Sequence, residues 1–199
     1  VSENGKRNTA TETKIRAAFT ELMQTKGFDG MSISAIVRLA GINRGTFYLH
    51  YLDKFDLRQR LIDDTIADLT QILITGPDDE GRGPVSVEDC FESESIAEAL
   101  RYVKREYAFF DALSRSGNDM QMYDRVKDVL KQMLLEQAAR VGAELSYSGI
   151  PRDYALEILV SAVSSIIWLW IRRGCKETPE QICAIIEKNK TTAPVDIIR

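Results

Sequence analysis

The run Arg44-Gly45-Thr46-Phe47-Tyr48-Leu49-His50 brings four hydrogen-bonding side chains close together: Arg44, Thr46, Tyr48 and His50. Only Phe47, with Tyr51 just beyond it, supplies an apolar group of the kind a core needs. A guanidinium, two hydroxyls and an imidazole on one exposed surface suit phosphate oxygens and the edges of bases. They suit catalysis poorly. His50 is the single histidine, and the sequence holds no Gly-x-Ser-x-Gly nucleophile turn, no glycine-rich phosphate loop and no cluster of metal-ligand residues. The expectation is a binding protein rather than an enzyme, with no metal and no cofactor.

These side chains need a scaffold, and the residues before them supply one. Ser32 to Tyr51, SISAIVRLAGINRGTFYLHY, reads as two short helices joined at Gly41-Ile42-Asn43. Ser32 can accept a hydrogen bond from the open amides of the first helix, while Ile33, Ile36, Val37 and Ala40 repeat at helical spacing and give it a core-facing side. Gly41 provides the left-handed backbone that stops this helix, Ile42 turns back to the core, and Asn43 caps a second helix from Arg44 to about Tyr51. Gly45 inside that helix costs about 1 kcal/mol relative to Ala, which argues for a close approach there by a DNA backbone or a neighbouring helix. This is the pattern of a DNA-reading helix-turn-helix; the alternative is an ordinary helical hairpin with solvated polar residues.

The flanks favour the first reading. Upstream, Ile15, Ala18, Phe19, Leu22 and Met23 form an apolar stripe ending at Lys26-Gly27-Phe28, a helix able to cover the hairpin. Downstream, Asp53 reads as the N-cap of a further helix, with Asp56 three residues on as in a capping box. The elements Gly27-Phe28, Ala40-Gly41, Gly45-Thr46-Phe47-Tyr48, His50-Tyr51 and Lys54 together resemble the TetR family of transcriptional regulators over roughly the first third of the chain. Asn43 and Arg44 stand where the family more often has a small polar residue and Lys, and Leu52 where it has Pro. The resemblance implies an all-α fold, with an N-terminal three-helix helix-turn-helix DNA-binding domain over 1–54 (motif about 32–51) and a helical ligand-binding and dimerisation domain over 55–199. It implies DNA contacts at Ser32, Ser34, Arg44, Gly45, Thr46, Tyr48, His50, Tyr51 and Lys54, with Tyr48 and Lys54 against phosphates. Arg44 and Thr46, at the exposed start of the second helix, are the candidates for base readout. A homodimeric repressor on a near-palindromic double-stranded operator, released by a small-molecule effector, is the function this resemblance implies.

Composition agrees once charge is located. At 199 residues and 44% hydrophobic content the chain can bury a substantial core in one or two domains. Its net charge of -4 argues at first sight against nucleic acid, yet residues 1–60 carry ten Lys/Arg against six Asp/Glu, while the remainder carries sixteen against twenty-four. A basic head on an acidic body confines attraction for phosphates to the head. Cys90, Cys175 and Cys183 form no paired motif; this odd count, with no apolar leader over Val1 to Thr11, points to the cytoplasm. Cys90 lies in an acidic segment and is a candidate redox thiol, an inert thiol being the plainer reading.

Beyond the head, a helix over 53–75 with Phe55, Leu57, Leu61, Ile62, Ile66, Leu69 and Leu73 on its apolar side reads as a connector. The Gly/Pro-rich acidic stretch 76–87 reads as a mobile loop. Ile96, Leu100, Val103, Tyr107 and Phe110, flanked by Tyr102 and Phe109, predict one helix with a wide apolar arc; Val126, Leu130, Met133, Leu134, Gln137 and Val141 predict the next, closing at Gly142. Residues 155–171, ALEILVSAVSSIIWLWI, are nearly long and apolar enough for a bilayer, but Glu157, Ser161, Ser164 and Ser165 fit the middle of a soluble bundle better, so no membrane partner is expected. Thr178-Pro179-Glu180-Gln181 then opens a last helix. The apolar surplus at Ile166, Trp170, Ile182, Ile185 and Ile186 predicts a pairing surface for a second copy, where the family resemblance also puts it. Tyr102, Phe109, Phe110, Met120, Tyr123 and Trp168 are the candidate effector lining, with plain core packing as the competing account. The Trp-Leu-Trp-Ile-Arg-Arg-Gly and Thr-Pro-Glu-Gln ending resembles the branch that contains activators of dihydroxyacetone kinase operons. Some of that branch act as coactivators through a protein partner; the retained Thr46, Tyr48 and Lys54 argue for DNA.

Overall fold

The computed structural model describes residues 3–74, 94–114, 119–140 and 149–191. Among them all regular structure is helical, and the chain divides into two compact units, residues 1–65 with 112–119 and residues 66–111 with 120–199. The stretch 76–87, Cys90 and the Val141-Gly142 helix end lie outside the described residues.

The first unit is built from α1 (Glu3–Lys26), α2 (Ile33–Ala40), α3 (Arg44–His50) and the first half of α4 (Lys54–Ile74). Its core joins the expected stripe of α1 to the apolar sides of α2, α3 and α4: Ile15, Phe19, Ile36, Phe47 and Leu57 are wholly buried, each contributing about 1.5–3 kcal/mol by leaving water. The starts of α2, α3 and α4 each have a side-chain cap. Ser32 Oγ accepts from the Ala35 amide at 3.2 Å, and Asn43 Oδ1 from the Thr46 amide at 2.7 Å. Asp53 accepts from the Phe55 and Asp56 amides, both at 2.8 Å. Asp56 reaches past the cap to the Leu52 amide at 2.8 Å, so the expected box closes one residue earlier, and this bond holds the Asp56 carboxyl below its ordinary range. Between α2 and α3 the chain turns at Gly41, whose φ of +64° is the left-handed conformation that favours glycine. The Ile42 amide then returns to the Val37 carbonyl at 3.0 Å, as a helix-terminating motif requires.

The compact unit extends along α4 to Thr65, where Leu57, Leu61 and Ile62 are buried and Arg16 Nη2 donates to Thr65 Oγ1 at 3.3 Å, tying α4 to α1. Phe55, assigned to the apolar side of α4, is exposed and rests edge-on against Phe28 with ring centres 5.2 Å apart.

The second unit comprises the rest of α4, α5 (Glu94–Arg105), most of α6 (Tyr107–Ser114), α7 (Asp119–Arg140), α8 (Arg152–Arg172) and α9 (Pro179–Thr191). The single helix expected through Phe110 is broken at Glu106. The Phe109 amide bonds to the Glu106 carbonyl at 2.9 Å, a tightened turn that lets Tyr102 and Phe110 pack edge to face at 6.3 Å. α9 packs on both α5 and α8, and its start forms the capping box that Thr178 and Gln181 predict, with reciprocal bonds of 3.2 and 2.8 Å. Lys104 of α5 and the Trp170 indole of α8 donate to one acceptor, the Glu177 carbonyl, at 2.9 and 3.2 Å. α8 is long and apolar enough to cross a membrane, yet Leu156, Val160, Val163, Trp170 and Ile171 are buried within the unit.

Candidate nucleic-acid interface

α3 presents its polar side chains around one buried anchor, Phe47, which packs against the rings of Tyr48 and Tyr51 at 5.6 Å each. Arg44 is tethered from two helices: Nη1 donates to Ser34 Oγ of α2 and Nη2 to the Tyr48 hydroxyl, both at 3.1 Å. Its guanidinium also lies 5.8 Å from the Tyr48 ring centre. Two of its donors are engaged in this way, leaving others for a base edge or a phosphate. The Thr46 hydroxyl donates to Asn43 Oδ1 at 3.1 Å. That same Asn43 oxygen would lie 3.2 Å from a Cβ at position 45, so the close approach argued for Gly45 is already made by the cap itself. Ser32 is exposed, with its hydroxyl oxygen taken by the Ala35 amide.

Three expected contacts are placed differently. The His50 side chain is only 11% exposed and meets Glu12 of α1, with Nδ1 3.3 Å from Oε1; it braces α3 against α1 rather than facing outward. Tyr51 is buried, and that burial, with Glu12 and Asp64 nearby, pushes its phenol up to about 12. Lys54 turns inward: Nζ donates to the carbonyls of Phe28 at 3.0 Å, Met31 at 3.1 Å and Asp29 at 3.4 Å, and lies 4.8 Å from the Phe28 ring centre. Its ammonium therefore locks the turn between α1 and α2, and what it offers a phosphate is charge rather than a free donor.

Sequence reasoning missed Leu49, 85% exposed on α3, and Leu52, also exposed. A signal existed: Leu49 follows the inward Phe47 by two residues, which on a helix turns it to the opposite side. An exposed aliphatic side chain there suits the methyl group of thymine.

A family profile described as bacterial regulatory proteins of the tetR family matches residues 15–61, and one described as the transcriptional regulator C-terminal region of TetR type matches residues 93–190. The chain belongs to the TetR family of transcriptional regulators. A curated relative is an uncharacterized HTH-type transcriptional regulator, YxbF, of Bacillus subtilis, 22% identical over 87% of this chain; the chain spans 43% of that relative's length. Among solved structures, a TetR-family regulator from Syntrophomonas wolfei superposes with a TM-score of 0.69 at 19% identity, covering 93% of this chain and 95% of that one. The fatty acid degradation regulator FadR of Bacillus halodurans gives 0.66 at 15% identity, covering 89% and 93%. The dihydroxyacetone kinase operon activator DhaS gives 0.61 at 19%, covering 90% and 93%. At these identities the structures speak for the fold.

In this TetR-family chain the candidate effector residues separate. Tyr123 and Trp168 meet edge to face at 5.7 Å and line a cavity of the second unit. Tyr102, Phe109 and Phe110 are core instead, and the Tyr102 hydroxyl is satisfied by Asp68 at 2.8 Å. The Met120 side chain lies outside the described residues. The pairing residues separate as well. Trp170 at 2% exposure, Ile182 and Ile186 are already buried inside the chain and have no surface to offer a partner, and Ile166 is half-buried. Ile185 is 47% exposed. Tyr154, Ile158 and Leu169 of α8, at i, i+4 and i+15, form an exposed apolar row that sequence reasoning passed over. Burial pushes the Cys175 thiol up to about 11, well away from the reactive range.

Proposed function

We propose that the protein is a homodimeric transcriptional repressor that reads a near-palindromic operator through α3 and is released by a small-molecule effector held in the second unit. The observation that carries this reading is the exposed surface of α3, where Arg44 is pre-set by Ser34 and Tyr48 and Leu49 stands in solvent. An arginine whose rotamer is fixed beforehand loses less entropy on meeting a guanine edge. Base readout is assigned to Arg44, Thr46 and Leu49, with Tyr48 and the charge of Lys54 serving phosphates.

The second copy is assigned to the apolar row Tyr154, Ile158 and Leu169 with Ile185, since side chains of this size left in water favour burial against a like surface. Two heads on one dimer then match two half-sites about one helical turn apart, or a multiple of that. A protein that binds chromosomal DNA in a bacterium works in the cytoplasm, and the apolar length of α8 is accounted for by the core and this pairing surface. An effector releases DNA only if it favours the DNA-incompetent arrangement, so operator and effector must weaken each other by the same factor.

Capture of genomic fragments by the purified chain, followed by sequencing, tests the proposal. Enrichment of a site with two inverted half-sites supports it. Uniform recovery of all fragments, with the chain instead retained on another regulator, would replace it with a coactivator acting through protein.

A further inference from the structure

On a helix of 3.6 residues per turn, each position of α3 has a fixed bearing from the buried anchor Phe47. Arg44 and Tyr48 fall about 60° and 100° to one side, as their hydrogen bond at 3.1 Å requires. Thr46 and His50 fall about 100° and 60° to the other, where the Thr46 hydroxyl is engaged by Asn43 and the His50 ring by Glu12. Gly45 and Leu49 straddle the line directly opposite the anchor, each about 160° from it. Gly45 brings no side chain to that line, so Leu49, 85% exposed, is the one side chain of α3 standing on it.

The polar side chains of α3 therefore lie on its flanks, and the line that a groove-inserted helix aims at the base pairs is apolar. Leu49 has neither donor nor acceptor, and pressing it onto the polar edge of a base would strip that edge of water without replacing the lost bonds. The major groove offers one apolar feature, the methyl group at C5 of thymine. Cytosine lacks it until it is methylated at the same carbon. The guanidinium of Arg44 and the hydroxyl of Tyr48 beside Leu49 suit a polyanion as the occupant of this face better than a second apolar protein surface. From these bearings we infer that Leu49 recognises the C5 methyl group of a pyrimidine, as thymine or 5-methylcytosine, at one position of each half-site. This rests on the DNA-reading function proposed above and narrows what α3 reads from a base edge to one substituent. The bare backbone at Gly45 serves the same end, because it leaves room for the base pair to come within van der Waals reach of its neighbour Leu49.

Operator duplexes recovered by genomic capture with the full chain are the probes that test the inference. Thymines are replaced one at a time by deoxyuridine, which removes the methyl and keeps every hydrogen-bonding group, and affinity is read by fluorescence anisotropy at fixed salt. The expected result is one thymine per half-site whose replacement weakens binding about fourfold, the effect of one buried methyl, and about fifteenfold when both half-sites are changed. In Leu49→Ala the thymine-to-uridine ratio at that position should fall to about one, with the salt slope unchanged. Thermal melting of this variant should match the parent chain, because the position is exposed. At the same position, 5-methylcytosine opposite guanine should bind about fourfold tighter than cytosine opposite guanine, and only while Leu49 is present. The absence of any uridine effect, or uridine effects that all persist in Leu49→Ala, would overturn the inference. A thymine effect with no gain from 5-methylcytosine confines recognition to thymine and overturns the wider class. Recovery of a specific operator with no uridine effect keeps the DNA-reading function and removes Leu49 from base recognition, whereas recovery of no site removes that function and the inference with it.

Discussion

Replacing Lys54 by Met removes the ammonium while keeping a long flexible side chain over Phe28. In the folded protein Nζ donates to the Phe28 and Met31 carbonyls at 3.0 and 3.1 Å, with the Asp29 carbonyl at 3.4 Å as a weaker third. Charge-assisted bonds contribute about 1.5–3 kcal/mol each. The site is only part-buried, so water can re-satisfy the freed carbonyls, and the low end for the two short bonds, less that rehydration, leaves about 2 kcal/mol. Loss of the cation over the Phe28 ring at 4.8 Å adds about 0.5 kcal/mol. Urea unfolding should therefore show Lys54→Met about 2–3 kcal/mol less stable in the first unit, and hydrogen exchange should show faster opening of amides 27–31. Because every proposed DNA contact sits on this unit, affinity should fall on operator and random DNA alike. The salt dependence decides whether the charge also serves phosphates: a slope reduced by about one unit says that it does. Unchanged stability and exchange, together with a change in which operator is preferred, would refute the assignment of Lys54 as the lock of the turn.

Arg44→Ala should cost about 1–3 kcal/mol at one operator position and relax the preference there, as read by selection from random oligonucleotides; equal loss on specific and random DNA would reduce Arg44 to phosphate neutralisation. Ile185→Glu should turn the proposed dimer into a folded monomer in sedimentation, since Ile185 is exposed in the single chain, whereas Ile182→Glu, at a buried position, should unfold the second unit; a persistent Ile185→Glu dimer would move the pairing surface elsewhere. The raised phenol of Tyr51 gives a pH dependence of defined sign. Its ordinary value is 10.0 and its folded value about 12, so the stability tied to the neutral phenol is intact below pH 10 and is lost as pH rises from 10 to 12. Tyr51→Phe should remove that part of the alkaline decline in thermal melts compared with the parent chain, and identical declines would refute it.

Sequence alone determined whatever depends on neighbours along the chain. The caps Ser32, Asn43, Asp53 and Thr178 and the left-handed stop at Gly41 are local hydrogen-bonding and steric requirements, legible from residue type and spacing. So was the family, because its signature is a string of such local requirements, and so was the helical character of the body. Periodicity also found most of the core, but it says which side of a helix is buried and not against what. Tertiary structure alone decided the rest. His50 and Lys54 look like exposed donors in sequence, and only folding brings Glu12 and the carbonyls of Phe28 and Met31 within reach of them. Trp170 and Ile186 look like surplus apolar surface until α9 closes on α5 and α8. Ser164 reads as one more serine in an apolar helix, and only the packing of side chains from four helices around it leaves its hydroxyl without a partner among the described residues. Whether a polar atom finds a partner depends on distances between residues far apart in the chain, a quantity that local propensity and periodicity do not encode.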